Sequence, residues 1–581
     1  MFKKTDNTSQ MNLFTSPESF LGKRALKSYS DKKAWHNQFF ELVTSRIDES
    51  IFSVLYKGGN MGAPTASVRV LVAMSILKEG FGCSDENLFE KVEFDLLIRK
   101  ALGLVNLDDV PPSLDTYYLF NRRLCAYYES TGIDLMEKCF EHVTGSQIKK
   151  FNISGKSVRM DSKLIGSNIA KYSRYEIVLT TLQKLLSHPG NMTALNPALR
   201  KKAEPYIEEK GNHTVYTSDA QSLAKRISAL GDVVYRVLKR LDENALEYAL
   251  MHRVFHEQYS VEAGVVMIRD KKEIRSDSVQ NPNDPDAHYR DKGSQKVQGY
   301  SVNITETVEE GKPSMITSVQ TEGASNADCH YVEEAIEKTE RVTGDIIEDL
   351  YADGAYQSPD NRTFADSHLN AQGEPMRIKT GRMQGGSRFI LKPIHESKDI
   401  EVTDTRTGEV MVGVWVNKTE RRGNRWRIKL GQGDWRTNPF RYFEQKDFDA
   451  SRLRQEIESL PIEEQNKRNN VEATMFQYSL HSHNNKTRYR GRFKHHLQAL
   501  RRCAWINMRR LVIYMAKMSP DELMQYISSL PVTILKTIDA ICRRIIDHVK
   551  NFSILDWWQY GDHNGAILSA VHNPISNNVH F

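Results

Sequence analysis

The hydrophobic period of this chain changes along its length, and the change at Ser157 limits its fold more than any other feature. Up to about residue 145, apolar residues recur every three or four positions. "SVRVLVAMSILKEG" (67–80), "ENLFEKVEFDLLIRKALG" (86–103) and "LDTYYLFNRRLCAYYES" are the clearest runs. That spacing belongs to helices. Gly80 and Gly82 stop the first, Ser84 and Asp85 stand where a cap for the second is needed, and Pro111-Pro112 precede the third. At 157 the period becomes two. In "SVRMDSKLI", Val158, Met160, Ser162 and Leu164 alternate with Arg159, Asp161 and Lys163, which predicts a strand. Helical spacing returns from about 175 to 257. "GYSVNITETV" and "SMITSVQT" then read as a hairpin across Gly311, Lys312 and Pro313, followed by the helix "DCHYVEEAIEKTERVTG" and the strand "DIIEDLYADG". Hairpin, helix and strand in succession make an α/β arrangement with a mixed sheet.

These changes divide the 581 residues. Residues 1–30 read as a flexible tail. Residues 31–150 read as a helical N-terminal domain, whose short helices and tight turns fit either a DNA-binding helix-turn-helix module or a small packed bundle. The α/β core occupies 151–363, with a helical insertion at about 170–257. Residues 364–460 are Gly-rich and broken into β-like pieces ("RFILKPI", "EVMVGVWVNK", "RWRIKLG"), a β-rich insertion. The core resumes at 461–520, and 521–581 form a helical tail. No apolar run approaches the ~18 residues that cross a bilayer, and the start lacks a signal-peptide pattern. The six cysteines are scattered with no CxxC pair, against a disulfide scaffold or a zinc site. The expected location is the cytoplasm, on the nucleoid.

The net charge of +6 says little, but its distribution says more. Between Ala473 and Pro520 there is no Asp or Glu, while Arg488, Arg490, Arg492, Lys494, Arg501 and Arg502 fall inside this stretch with Tyr489, Phe493 and Trp505 among them. Cations interleaved with aromatic rings suit nucleic acid. Leu497, Leu500, Ala504, Met508, Leu511 and Met515 form a helical stripe, leaving Lys494, Gln498, Arg501, Arg502, Trp505 and Arg509 on the other face. That face reads as a DNA-facing surface, and the rival reading is a buried strut whose arginines pair within the protein. The adjacent His495 and His496 read as DNA-facing or solvent-exposed.

Three acids stand out. Asp161 interrupts an otherwise apolar-patterned strand, where Asp is disfavoured; the plain alternative is a hydrated strand face. Asp353 closes a strand just before Gly354, and carboxylates at such ends often enter ligand crevices, with Asp349 as its rival. Glu472 lies in "KRNNVEATMFQ", four residues after Arg468, a spacing that also serves a simple helical ion pair.

In order along the chain, "VRMDSKLI", "DPDAHYRDKGSQKVQGYSVNITE", "DLYADGAYQSPDN", "KRNNVEATMFQ" and "RYRGRFKHHLQALRRCAWINMRRL" resemble the transposases of bacterial insertion sequences that have an RNase H-like core and an Asp-Asp-Glu site. The resemblance covers most of 35–515, with "PTASVRVLVAMSILKEGFGCSDENLFEKV" and "FNRRL" similar to the N-terminal domain such proteins often carry. It implies that Asp161, Asp353 and Glu472 are the catalytic and metal-binding acids and that Arg468 is their accompanying arginine. The family's Tyr before that Arg and Lys after the Glu are Gln465 and Ser479 here. It also implies two Mg²⁺ ions, with Mn²⁺ as a substitute, and duplex DNA of element ends and target as partner. A homodimer on DNA is expected. Two ions about 3.5–4 Å apart would activate the nucleophile and stabilise the leaving oxygen of a phosphodiester, and three carboxylates with the phosphate suffice to hold them. Arg468, Arg488, Arg490, Arg492, Lys494, Arg501 and Arg502 are the expected DNA contacts. An active transposase, a nuclease that cuts without integrating, and a non-catalytic DNA-binding relative are the three classes in play.

Overall fold

The computed structural model describes residues 2, 15–56, 65–293, 295–380, 387–421, 423–430, 439–459, 461, 464, 467, 468 and 470–517. The expected helical tail at 521–581 and Gln465 lie outside them.

Helix Val68–Phe81 is apolar nearly all round and buried on every side, so it forms the axis of the N-terminal region rather than one of its faces. The Ser67 hydroxyl accepts from the Val70 N–H at its start, and Gly82, at φ 68°, ends it. Gly80 has to lack a side chain because the Trp505 indole lies where a Cβ would stand. The run 86–103, read as one helix, is two. Asp95 breaks it by turning its carboxylate back to the N–H groups of Leu97 and Ile98, so that Asp85–Phe94 and Leu96–Leu102 are separate. Leu114–Thr131 and Leu135–Phe151 complete the bundle. The tail expected over 1–30 is ordered at its end. Lys23–Tyr29 is helical because Tyr29 is buried and its carbonyl is held by His36 Nε2 and Asn37 Nδ2, both at 2.9 Å.

The main sheet begins with β1, Ser157–Gly166. The chain then leaves it for helices between Arg174 and Gln258. These close around their own core of Val178, Leu182, Leu185, Val234 and Phe255, with the short ribbon β2 (Tyr259–Glu262) and β3 (Val265–Ile268) packed on it. It returns through β4 (His288–Lys292), β5 (Gln295–Thr307) and β6 (Ile316–Gly323), then β7 (Asp349–Ala352) and β8 (Arg377–Thr380). The order is β4-β5-β1-β7-β8, with β6 also on β5. β5 runs antiparallel to β1, β4 and β6, whereas β7 runs parallel to β1 and β8 parallel to β7. Strand direction therefore switches at β1. Val158 and Met160 face a core with Val332, Ile336 and Ile347, so Arg159, Asp161 and Lys163 face the other side, as the alternation predicts.

β8 falls within the stretch read as an insertion, yet it is a main-sheet strand, so the inserted unit starts after Thr380. That unit is an antiparallel sheet of β9 (Phe389–Pro393), β10 (Ile400–Asp404), β11 (Val410–Thr419), β12 (Gly423–Lys429) and β13 (Phe440–Glu444). Its inner face, with Leu391, Val402 and Trp426, packs on helix Gln445–Ser459. Helix Asn470–Ser479 then lies on β1, and helix Arg492–Lys517 follows. Residues 497–508 of the latter join one core with Leu71, Leu77, Val143, Ile304 and Ile316. No helix among the described residues is long and apolar enough to cross a membrane.

Candidate active site

The parallel register places the first two acids. Ser157 pairs with Asp349, Val158 with Leu350 and Arg159 with Tyr351. Continued for two residues past the last of these pairs, the same offset would set Asp161 beside Asp353, whose charge raises the Asp161 carboxyl. Asp349 is at the opposite end of β7, held by Arg377 at 2.8 Å and Lys379 at 3.1 Å, away from Asp161. Asp353 is exposed and accepts from the Gly354 N–H at 2.5 Å. Asp161 is mostly covered. Burial pushes its carboxyl up to about 6; the Ser162 N–H and Arg468 act the other way, while Asp353 and Asp328 add to the rise. Asp328, which sequence reading did not select, is buried beside them and accepts the Ser162 hydroxyl at 2.8 Å.

Glu472 comes from helix Asn470–Ser479, and a buried charge network fixes that helix. Glu306 on β5 stands across from Arg159 and is wholly buried. One of its oxygens accepts from Arg159 Nε at 2.6 Å; the other accepts from Arg510 Nη1 at 2.7 Å and from the Thr474 hydroxyl at 2.8 Å. Burial favours the neutral acid, but Arg510 and Arg159 outweigh it and hold the carboxyl below its ordinary range. Arg159 Nη1 also donates to the Lys467 carbonyl at 2.9 Å, and Glu464 takes the Tyr351 hydroxyl at 2.5 Å and Lys379 at 3.2 Å. Glu464 and Lys467, before the helix, are thereby tied to β1, β7 and β8.

Glu472, Phe476 and Ser479 are spaced by four and three, one stripe of helix Asn470–Ser479, and Arg468 lies before the helix. At one end Arg468 Nη2 meets Asp353 at 3.4 Å. At the other, Ser479 accepts a hydrogen bond of 2.7 Å from Lys163, two residues beyond Asp161 on the same face of β1. Glu472 lies between these contacts, exposed, with no hydrogen bond or ion pair to a described residue. Asp161 and Asp353 are thus brought together with Arg468 between the strands and the helix. Among the described residues no three His, Cys, Asp or Glu side chains stand close enough to enclose a metal ion. The donors near Asp161 suit a hard divalent cation: Asp353 and Asp328 are carboxylates, while the Ser162 N–H and then Arg468 favour its charged form.

The basic segment divides in two. Arg490 and Lys494 are exposed. Arg488 reaches the carbonyls of Gly82 and Cys83, at 3.3 and 2.7 Å, and Arg492 pairs with Glu322 at 2.7 Å. Arg501 and Arg502, expected to face DNA, are 5% and 6% exposed. Arg502 donates to the carbonyls of Glu79, Gly80 and Gln477, at 2.9, 2.8 and 2.7 Å, near the C-terminal ends of two helices whose last carbonyls lack intrahelical partners. Arg501 donates to Asn121 Oδ1 at 2.7 Å. The helix carrying them is covered on both faces, which its amphipathic spacing does not reveal. His495 and His496 are likewise inside. His495 stacks on Tyr300 and bonds Thr487 Oγ1 at 3.0 Å, and His496 stands 3.4 Å from Asp134. Burial pushes both imidazoles down to about 4.

One family model matches the helical region in front of this sheet. Residues 27–123, which span helices from Trp35–Leu42 to most of Leu114–Thr131, match the family model described as Transposase domain (DUF772). The helical N-terminal region is similar to that family, and the match does not extend to the sheet. Comparison with curated proteins and with solved structures gave no match.

Proposed function

We propose that this protein is a DNA transposase with an RNase H-like catalytic sheet, cutting and joining DNA through Asp161, Asp353 and Glu472. The observation that carries the reading is the β1–β7 register, which, continued by two residues, would bring Asp161 beside Asp353 where strand direction switches. The antiparallel run β6-β5-β1, continued by the parallel β7 and β8, also fits an RNase H-like sheet. The contacts on either side of Glu472 in sequence, Arg468 with Asp353 and Ser479 with Lys163, support Glu472 as the third acid.

Two Mg²⁺ ions, held by Asp161, Asp353 and Glu472, would supply charge neutralisation at the phosphate and an activated nucleophile when bound. The protein's own part is positional. The Glu306 network holds the helix of Glu472 on the sheet, Glu464 is tied to β7 and β8 before it, and Arg468 pairs with Asp353 at 3.4 Å. Carboxylates repel a phosphodiester, so cations such as Arg468 and Lys163 beside them offset that repulsion.

The test uses supercoiled DNA carrying the element's ends, with purified protein and Mg²⁺. Asp161→Asn, Asp353→Asn and Glu472→Gln should each abolish cleavage and leave DNA binding within a few-fold of wild type. Cleavage by Asp161→Asn at the wild-type rate would remove the assignment. Nicked or linear products without joined strands would instead make the protein a nuclease that does not integrate.

A further inference from the structure

Past Lys163, β1 ends at a groove of about 250 Å³ lined by Lys171, Lys296, Lys486, Ser167, Gln298 and Asn485. No carboxylate lines it, and all three lysines are exposed. Lys296 has a loose surface pair, with Asp291 at 4.0 Å. The wall carrying Lys486 is held in place. Asn484 and Asn485 both take left-handed backbone, at φ 50° and 54°, a conformation that costs free energy unless the surroundings impose it. Here they do so: Asn485 Nδ2 donates to the Leu164 carbonyl at 2.9 Å and the Thr487 N–H to the Gly166 carbonyl at 2.8 Å. Arg490, just beyond, donates to the Asn168 carbonyl at 2.9 Å. Lysines, amides and a hydroxyl without an acid form a lining that complements phosphate oxygens. An acidic protein surface would meet the same lysines, and the spacing from the acids favours DNA. Gly166 lies five residues from Asp161 along an extended strand, about 17 Å, which equals about five base-pair rises of duplex DNA. Lys163 stands between the two points on the same strand.

We propose that this groove holds the phosphodiester backbone of duplex DNA about five base pairs from the position cut at the acids. The distance rests on the reading of Asp161 as a catalytic acid, whereas the contact with DNA does not. Binding is sequence-independent, because lysine ammonium groups meet phosphates as point charges and read no base.

The experiment is DNA binding by the full chain in EDTA, where cleavage cannot intervene, read by the anisotropy of a labelled duplex at several salt concentrations. Lys171, Lys296 and Lys486 are changed together to Ala, and in a second variant together to Arg. The Ala variant should lower the slope of log affinity against log salt by about two to three, at about 0.9 for each phosphate no longer neutralised. The Arg variant should keep the wild-type slope. An unchanged slope in the Ala variant overturns the proposal, and so does an equal loss in both variants, which would mark a folding defect. If Asp161→Asn still cuts while the Ala variant loses slope, the catalytic reading fails and the groove remains a DNA contact.

Discussion

Two clusters of charge lie on one face of β1, two residues apart, and they are built in opposite ways. At Arg159, the carboxylate of Glu306 is closed by two guanidinium groups and a hydroxyl and has no contact with water. At Asp161, the carboxyl feels the charge of a second aspartate and is offset by the Ser162 N–H, at 2.9 Å, and then by Arg468. The first cluster is neutralised by the protein itself, and its product is a fixed position for the helix of Glu472. The second leaves negative charge unbalanced, the condition under which a cation from outside is attracted. A buried charge with all its partners is structural; one lacking them points to a ligand.

The comparison breaks first if Glu306 proves dispensable. Glu306→Gln leaves Arg159 and Arg510 buried without their anion, and should cost about 3–5 kcal/mol of stability, read as a large drop in denaturation midpoint. Asp161→Asn should act with the opposite sign. The folded carboxyl titrates at about 6 against an ordinary value of 3.8, so the native state binds more protons between these values and stability falls as pH rises through that window. In EDTA at neutral pH the Asn variant should therefore be more stable than wild type by on the order of 2 kcal/mol, with the gain vanishing below pH ~4. A loss of stability there would make Asp161 part of the structural network.

Smaller effects sharpen the contrast within the basic segment. Arg502→Ala strips three carbonyls of a buried donor and should cost about 2 kcal/mol without changing the salt dependence of DNA binding. A reduced salt slope would return Arg502 to the DNA path. His495 titrates at about 4 in the fold and 6.5 when free, so stability is complete above pH 6.5 and is lost as pH falls towards 4. At pH ~5.5 that loss should be about 1 kcal/mol, and His495→Gln, if it folds, should remove this part of the pH dependence of unfolding.

Local patterning was legible in the sequence wherever one face of an element is covered. The alternation in "SVRMDSKLI" predicts which side of β1 carries Arg159, Asp161 and Lys163, and the hairpin of β5 and β6 follows from its turn residues. Lys163 was visible in that same alternation, but nothing along the chain marks Ser479 as its partner. What depends on distant pairing was not legible. Asp349 and Asp353 are equal candidates until the β1–β7 register separates them. β8 is four residues long in a Gly-rich stretch and declares itself only by lying beside β7. Arg501 and Arg502 mislead for a related reason: a polar helical face reads as solvent-facing until a second layer, here the Gly80 end of helix Val68–Phe81, is found to cover it.

The central claim is that Asp161, Asp353 and Glu472 share one divalent-metal site, and metal-directed cleavage of the protein's own backbone tests it most directly. Fe²⁺ replacing Mg²⁺, with ascorbate and peroxide, releases hydroxyl radicals that cut only the chain next to the ion. Cuts near residues 161, 353 and 472 together, all suppressed by excess Mg²⁺ and all lost in Asp161→Asn, are expected. Cuts near 161 and 353 with none near 472, in the presence of bound DNA, would contradict a shared site.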